Sequence, residues 1–359
     1  MRRIVVAMDK KILFTGDFFF DYDEPRDDIS KIGKWIRDNG YLTVVNLEGP
    51  LAVPAKEHAE KKRGPNLAAS GTAALILEEL NTAGVTLANN HMMDYGEYGL
   101  KSTLSILDDK GIKHTGAGVT LEEALKPFVI DTGTVKTAFL SFGWDVEETR
   151  YASGHSAGCA PRDKDVILRE VRAAKKMYDR VVVCMHWGFE FNRYPMPYDT
   201  DLAHATIDAG ADLIIGNHPH CVQPYEEYHG KTIFYSLGNF YFGSKRDMFT
   251  KVFPERITNQ PDYGILVIYE PGSGMTDTRL IVYSRDEKVS GLSDDGKEEI
   301  LHVLPELEER EYLKTVRRSR NNSTPVLTAD EKKNAVKIKA LYTVYSLKKA
   351  FRTVIPRHR

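Results

Sequence analysis

Long apolar runs are missing. No stretch of the 359 residues approaches the ~20 apolar residues of a membrane-spanning helix. The opening MRRIVVAMDKKILF has its apolar run broken by Asp9, Lys10 and Lys11. A secretory leader needs ~7–15 uninterrupted apolar residues, so no leader is expected and a cytoplasmic location is. Cysteine is scarce: Cys159, Cys184 and Cys221 are an odd, scattered set with no CxxC. That argues against a disulfide framework and fits a reducing compartment, with Cys184 a small core residue and Cys221 a buried neighbour. Net charge is also small, formally −2, which gives no overall case for nucleic acid as a partner. Internal repeats and low-complexity tracts are absent. What remains is 42% hydrophobic and 28% charged, enough for a sizeable core in one large domain or two ordinary ones.

The most informative stretch runs from Val181 to Gly243. Val181 to Met185 is a β-branched-rich run followed at once by His186, and Leu213 to Ile215 is followed by Asn217-His218-Pro219-His220. Histidines placed where buried strands end lie on a sheet rim, where α/β proteins build their sites. In His218-x-His220 the alternation puts both imidazoles on one side if the segment is extended, and Pro219 favours that state at His218. Such placement suits metal ligation.

The same arrangement recurs upstream. A strand over Lys11 to Thr15 runs into Gly16-Asp17, where the carboxylate is either a ligand or a helix N-cap. A strand over Leu42 to Val45 leads to Asn46-Leu47-Glu48-Gly49-Pro50, and one over Val85 to Ala88 to Asn89-Asn90-His91. Helices are expected over 29–38, 72–83 (stopped by Gly84), 98–110, 164–178 and 199–209. Hairpins are expected around Asp131-Thr132-Gly133 and His229-Gly230, and Ser236 to Gly243 reads as a Gly-bounded turn. Taken singly, each polar residue has a turn, cap or structural reading. Taken together, the Asp, Glu, Asn and His clusters all fall at one kind of place, the ends of strands.

GDFFFD, VNLEGPL, LANNHMMDYGEYGLKSTL, HTGAG, HWGFEF and GADLIIGNHPHCVQPYEEYHGKTIFYSLGNFYF resemble the motifs of the CapA-type capsule-synthesis proteins over roughly residues 11–285. That family is associated with poly-γ-glutamate capsule biosynthesis, and its fold is similar to the calcineurin-like metallophosphoesterases. The resemblance implies an α/β protein of two packed β-sheets flanked by helices, in a domain over residues 1–290. It also implies two divalent metal ions (Mn, Zn or Fe), one held by Glu48, Asn90, His186 and His218, the other by Asp17, Glu48 and His220. His91 is then the non-ligating acid or charge stabiliser. The histidine of the family's D-x-H is missing, and Phe19 stands in its place. Arg193 is expected to neutralise an anionic small-molecule or polymer substrate, with a solvated loop cation as the alternative. Glu190 is expected to read the substrate or support a ligand.

A shared water activated between two cations would attack a phosphoester in line. Three activities stay open on sequence: a phosphoesterase in an envelope-polymer pathway, a binding or assembly protein with a partial metal site, and a hydrolase of γ-glutamyl amide bonds. Residues 291–359 read as a helical extension, with a change of character after Asp294, a helix over 298–320 and a last one from Thr328 to about Phe351. Thr328 to Arg359 holds nine Lys/Arg and two acidic residues, so this helix is basic as well as amphipathic. It either packs on its own domain or meets an anionic membrane surface or a protein partner.

Overall fold

Strands buried on both faces build a four-layer molecule, with two sheets packed together and helices outside each. The structure is a computed structural model that describes residues 10–23, 26–62, 65–143, 149–242, 263–283, 289–295 and 297–304. The first sheet contains the parallel strands β1 (Ile12–Phe19), β2 (Leu42–Leu47), β3 (Thr82–Thr86) and β4 (Lys113–Thr115). The second contains β6 (Phe128–Asp131), β7 (Lys136–Gly143), β9 (Arg180–His186), β10 (Leu213–Asn217), β11 (Tyr225–Tyr228) and β12 (Lys231–Phe234). Its order is β11-β12-β10-β9-β7-β6, with β7, β9, β10 and β12 parallel. A small ladder pairs β5 (Ala117–Gly118) with β8 (Gly158–Cys159). The first sheet is completed by β13 (Asn239–Phe242), β14 (Tyr263–Glu270), β15 (Met275–Tyr283) and β16 (Val289–Ser293), in the order β16-β15-β14-β1-β2-β3-β4 with β13 also on β1.

Successive residues of a strand face opposite ways, and here both faces are apolar. Ile12, Phe14, Val182, Cys184, Leu213 and Ile215 meet between the two sheets. Their sequence neighbours face outward. Leu13 packs with Ile32 and Ile36 of α1 (Asp27–Asp38) and with Ile76 and Leu77 of α2 (Gly71–Glu79). α3 (Gly96–Asp109) adds Leu100 and Leu107 to that layer. α4 (Leu121–Leu125) is a single short helix, and Thr120 accepts from the Glu123 N–H at its start. On the other sheet, Val181, Val183 and Ile214 pack with Ile167 and Val171 of α5 (Lys164–Lys175) and Leu202 and Ile207 of α6 (Pro197–Asp208). Each such buried side chain contributes about 1.5–3 kcal/mol, so the sheets and helices are set by many separate apolar contacts. This is the α/β architecture of two packed sheets flanked by helices that the motifs implied.

Several local expectations are corrected. The α2 helix stops at Glu79, before the expected Ala83, because Asn81 takes the left-handed conformation (φ 50) that ends a helix. Gly84 lies instead within β3, where a Cβ would sit 2.5 Å from the Phe128 ring. The expected turn over 236–243 contains β13, which pairs parallel with β1. The sheet runs through Ser293, so the expected boundary at 290 falls inside β16. Of the helix expected over 298–320, the described part is α7 (Lys297–Ile300), which ends as the chain turns back, where Tyr225 and residues 302–304 exchange backbone hydrogen bonds of 3.0 and 2.7 Å. The rest of the expected extension, including the basic helix from Thr328, lies outside the described residues. No helix among the described residues is long and apolar enough to cross a membrane.

Candidate metal centre

The carboxyl ends of β1, β2, β9 and β10, together with the loop that follows β3, deliver polar side chains to one buried place. Asp17 is fully buried and lies inside β1, not at a helix start; the N-cap of α1 is Arg26. At Asp17 the β1 register slips against both β2 and β13, an irregularity of the kind that re-aims a side chain. The Asn46 amide donates to Asp17 Oδ1 at 2.7 Å. Glu48, one residue beyond the end of β2, is fully buried, and its N–H donates to the Phe18 carbonyl at 2.8 Å.

Two sets of donor atoms result. Those of Glu48, His186 and His218 lie within 4.8 Å of one another, and so do those of Asp17, Glu48 and His220. Glu48 belongs to both. Asn90 joins the first set: its Oδ1 is 2.9 Å from His186 Nε2.

The two histidines after β10 arrive by a route the sequence did not suggest. Their backbone is not extended: His218 has φ 96 and His220 φ 54, either side of Pro219. Pro219 restricts the residue before it, but a tertiary contact decides the conformation. The turned backbone aims the His218 N–H at Asp17, 3.3 and 3.2 Å from Oδ1 and Oδ2. A non-glycine residue at positive φ costs on the order of 1–3 kcal/mol, and such strain collects at functional sites.

Burial and charge divide the histidines. Burial, reinforced by the neighbouring His218, holds His186 well below the usual imidazole range. Burial also brings His218 down to about 4. Both are therefore neutral at neutral pH, the form that ligates metal. Their Nδ1 atoms are buried and make no hydrogen bond among the described residues. Buried, unsatisfied imidazole nitrogens beside a shared carboxylate are what a divalent cation would satisfy, so this donor set fits one. His220 behaves differently. Burial opposes its charge, but Glu48 and Asp17 outweigh burial and raise its pKa well above the usual value. Its Nδ1 is 2.8 Å from Asn239 Oδ1 and 3.3 Å from Asp17, and its Nε2 is 3.6 Å from Glu48. Phe19 is fully buried and packs on Phe242 (5.7 Å between ring centroids), which meets the His220 ring edge-on at 4.8 Å.

His91 stands beside these sets. Its Nδ1 is 2.7 Å from Asp94 Oδ2 and 3.0 Å from Lys62 Nζ. Burial first, and then Lys62, lower its pKa. Glu190 is half-buried, and its charge acts on His91, His218 and His220, which places it within the centre's field. Arg193 is exposed, and its charge acts on the Cys221 thiol. All three cysteines are free and buried. Burial pushes each thiol up to about 12, and Cys221 donates to the Asn192 carbonyl at 3.3 Å. Sequence reasoning missed Asp94, Lys62 and Asn239. Asp94 had a signal, since it follows His91 by three residues within a recognisable motif. Asn239 sits in the segment that reads as a turn, and Lys62 in the charged stretch Val53 to Asn66, which reads as a loop.

Comparison with known proteins bears on these motifs. Residues 8–244 match the family model described as Bacterial capsule synthesis protein PGA_cap. The "PGA biosynthesis protein CapA" of Bacillus subtilis (strain 168) is 37% identical over 229 residues, covering 63% of this chain and 57% of that protein. The "Capsule biosynthesis protein CapA" of Bacillus anthracis is 32% identical over 216 residues, covering 59% of this chain and 52% of that protein. The chain thus spans just over half the length of these relatives. Among solved structures, the NAD nucleotidase of Haemophilus influenzae has a TM-score of 0.46 at 12% identity, covering 89% of this chain and 61% of that one.

Proposed function

The chain belongs to the bacterial capsule synthesis protein PGA_cap family, and on that footing we propose that it serves the biosynthesis of a capsule or poly-γ-glutamate-type polymer as a metal-dependent phosphoester hydrolase. One observation carries the reading: the buried Glu48 carboxylate belongs to two donor sets at once. That is the arrangement a two-metal centre needs. Glu48, Asn90, His186 and His218 would hold one divalent cation, and Asp17, Glu48 and His220 the other, with Mn, Zn or Fe suited to these ligands. Bound there, the metals would supply Lewis-acid stabilisation of phosphoryl charge and an activated water. The chain's own residues do the rest. Asp94 orients His91 through Nδ1–H, which leaves the Nε2 lone pair to take up a proton and pass it to the leaving oxygen. Glu190 acts on the histidines from beside the centre, and Arg193 offers an exposed cation to an anionic substrate.

The test is metal content by mass spectrometry alongside phosphodiester turnover with added Mn²⁺. His91→Ala should keep the metal and lower turnover by roughly 10²–10⁴-fold, the usual worth of a positioned acid or base. A metal-loaded chain without turnover on phosphodiester or γ-glutamyl substrates would instead favour an assembly or binding role.

Phe19 is the observation that favours this second reading. The set at Asp17 has three protein donors, and an aromatic ring stands where the family pattern has a histidine. The second cation should therefore bind more weakly. Phe19→His should tighten it by roughly tenfold or more, at least about 1.4 kcal/mol. Calorimetric titration of chelator-treated protein checks this, and unchanged affinity would mean that position 19 does not face the cation.

A further inference from the structure

Lys62 comes from a segment that reads as a solvated charged loop, yet its side chain is only 7% exposed. Its ammonium group pairs with Asp94 Oδ1 and donates to the Asn90 carbonyl at 3.3 Å. The same Nζ lies 3.0 Å from His91 Nδ1, which is 2.7 Å from Asp94 Oδ2. Described residues on either side of Lys62 are also fastened to Asp94. The Glu60 N–H donates to the Asp94 carbonyl at 2.9 Å, and the Leu67 N–H donates to Asp94 Oδ2 at 2.7 Å.

An imidazole nitrogen has one in-plane position for a proton or a lone pair. His91 Nδ1 therefore cannot both donate to Asp94 and accept from Lys62. Asp94, as a carboxylate, offers only acceptors, and Lys62 has two other acceptors within reach, Asp94 Oδ1 and the Asn90 carbonyl. The arrangement that satisfies every group puts the proton on Nδ1, donated to Asp94, with Lys62 bound to the far oxygen of the same carboxylate. The Asp94 side chain is only 1% exposed, so a carboxylate there needs a compensating cation. With Lys62 gone, the lower-cost state is one in which Asp94 takes up a proton from solvent, the neutral carboxyl donates to Nδ1, and the imidazole proton moves to Nε2.

We infer that Lys62 is a positioning residue that acts through Asp94 to hold His91 in the Nδ1–H tautomer and in a fixed orientation at the edge of the metal centre. It rests on the proposed role of His91 Nε2 in taking up and passing on a proton only for its kinetic consequence, because the Nε2–H tautomer has no lone pair there to take one up. The role has a second effect. Lys62 offsets the Asp94 charge, so the carboxylate can orient His91 without adding net negative charge to a centre meant for an anionic substrate.

The test measures His91 directly. Imidazole ¹⁵N spectra of the EDTA-treated 359-residue chain, with the His91 signals assigned by His91→Gln, report the tautomer. The wild type should show Nδ1–H, and Lys62→Met should shift His91 to the Nε2–H form or a mixture, while Lys62→Arg keeps Nδ1–H. With Mn²⁺ and bis(p-nitrophenyl) phosphate, Lys62→Met should lower kcat by roughly tenfold or more with KM changed less than about threefold and metal content retained. Lys62→Arg should recover most of that loss. An Nε2–H tautomer in the wild type, or an unchanged His91 in Lys62→Met, overturns the inference whatever the turnover. Metal loss from folded Lys62→Met in step with its kcat would also overturn it, by making Lys62 a strut of the metal site. If Lys62→Met does not fold, the wild-type tautomer and the Lys62→Arg spectrum decide. Failure of the wild type to turn over the diester would count against the hydrolase reading and leave the tautomer result intact.

Discussion

Glu48→Gln should empty the metal centre and lower turnover by roughly a thousandfold or more, about 4 kcal/mol of transition-state stabilisation. Glu48 is the residue the two donor sets share, so its loss should strike both cations, whereas Asp17→Asn should strike only one. Glutamine keeps the shape and the buried position but gives up the charge that draws a cation into the centre. The physical readout is thermal. A cation at a hundredfold excess over its Kd stabilises the folded state by about 2.7 kcal/mol. For a chain of this size that is a rise on the order of 5 °C in melting temperature. The wild type should show that rise with added Mn²⁺, Asp17→Asn should keep most of it, and Glu48→Gln should lose it. Comparing each protein with and without metal cancels any change that the substitution makes to the metal-free fold. A full metal complement in Glu48→Gln would place the cations elsewhere and remove the basis for a bridged pair.

Much of this centre was legible in the sequence because the signals were local. The apolar runs at Val181–Met185 and Leu213–Ile215 announced buried strands, and the first polar side chains after them had to lie at the sheet rim. What failed was set by distant contacts. β13 is four residues long, and it is a strand only because β1, more than two hundred residues earlier, lies beside it. Nothing in Asn239–Phe242 carries that information. The turn at His218 follows from an Asp17 carboxylate that accepts its N–H, which overrides the local preference before Pro219. Lys62 looked like one more surface cation because its burial depends on Asp94, which reaches it only once the chain has folded. Phe19 was visible as a departure from the family pattern. The aromatic packing against Phe242 and His220 that makes the position hydrophobic was not.

Gly16→Ala should destabilise the fold by about 3 kcal/mol or more, although it adds only a methyl group. An ideal Cβ at Gly16 would lie 1.9 Å from the Gly238 carbonyl oxygen and 2.8 Å from its carbon. That backbone has little room to retreat. The Gly238 carbonyl accepts the Asp17 N–H at 3.0 Å, and the Asn239 carbonyl accepts the Tyr283 hydroxyl at 2.9 Å. On the other side, a Cβ at Gly264 would meet the Asn239 carbonyl at 2.0 Å, so β14 is already packed against it. Pushing residues 238–239 away would separate β13 from β1, move Asp17, and pull Asn239 from His220. The melting temperature should fall by roughly 6–12 °C, at about 2–4 °C per kcal/mol for a chain of this size. The cation held by Asp17 and His220 should be lost at lower chelator concentration than the one held by His186 and His218. Gly71→Ala is the control: it lies in the first turn of α2 with nothing within 4 Å of the new Cβ. It should leave stability unchanged or raise it by up to about 1 kcal/mol, through the lower entropy of the unfolded chain. If Gly16→Ala melts within about 1 °C of the wild type, β13 is not clamped as described, and the placement of Asp17 must depend on something other than this close approach of two backbones.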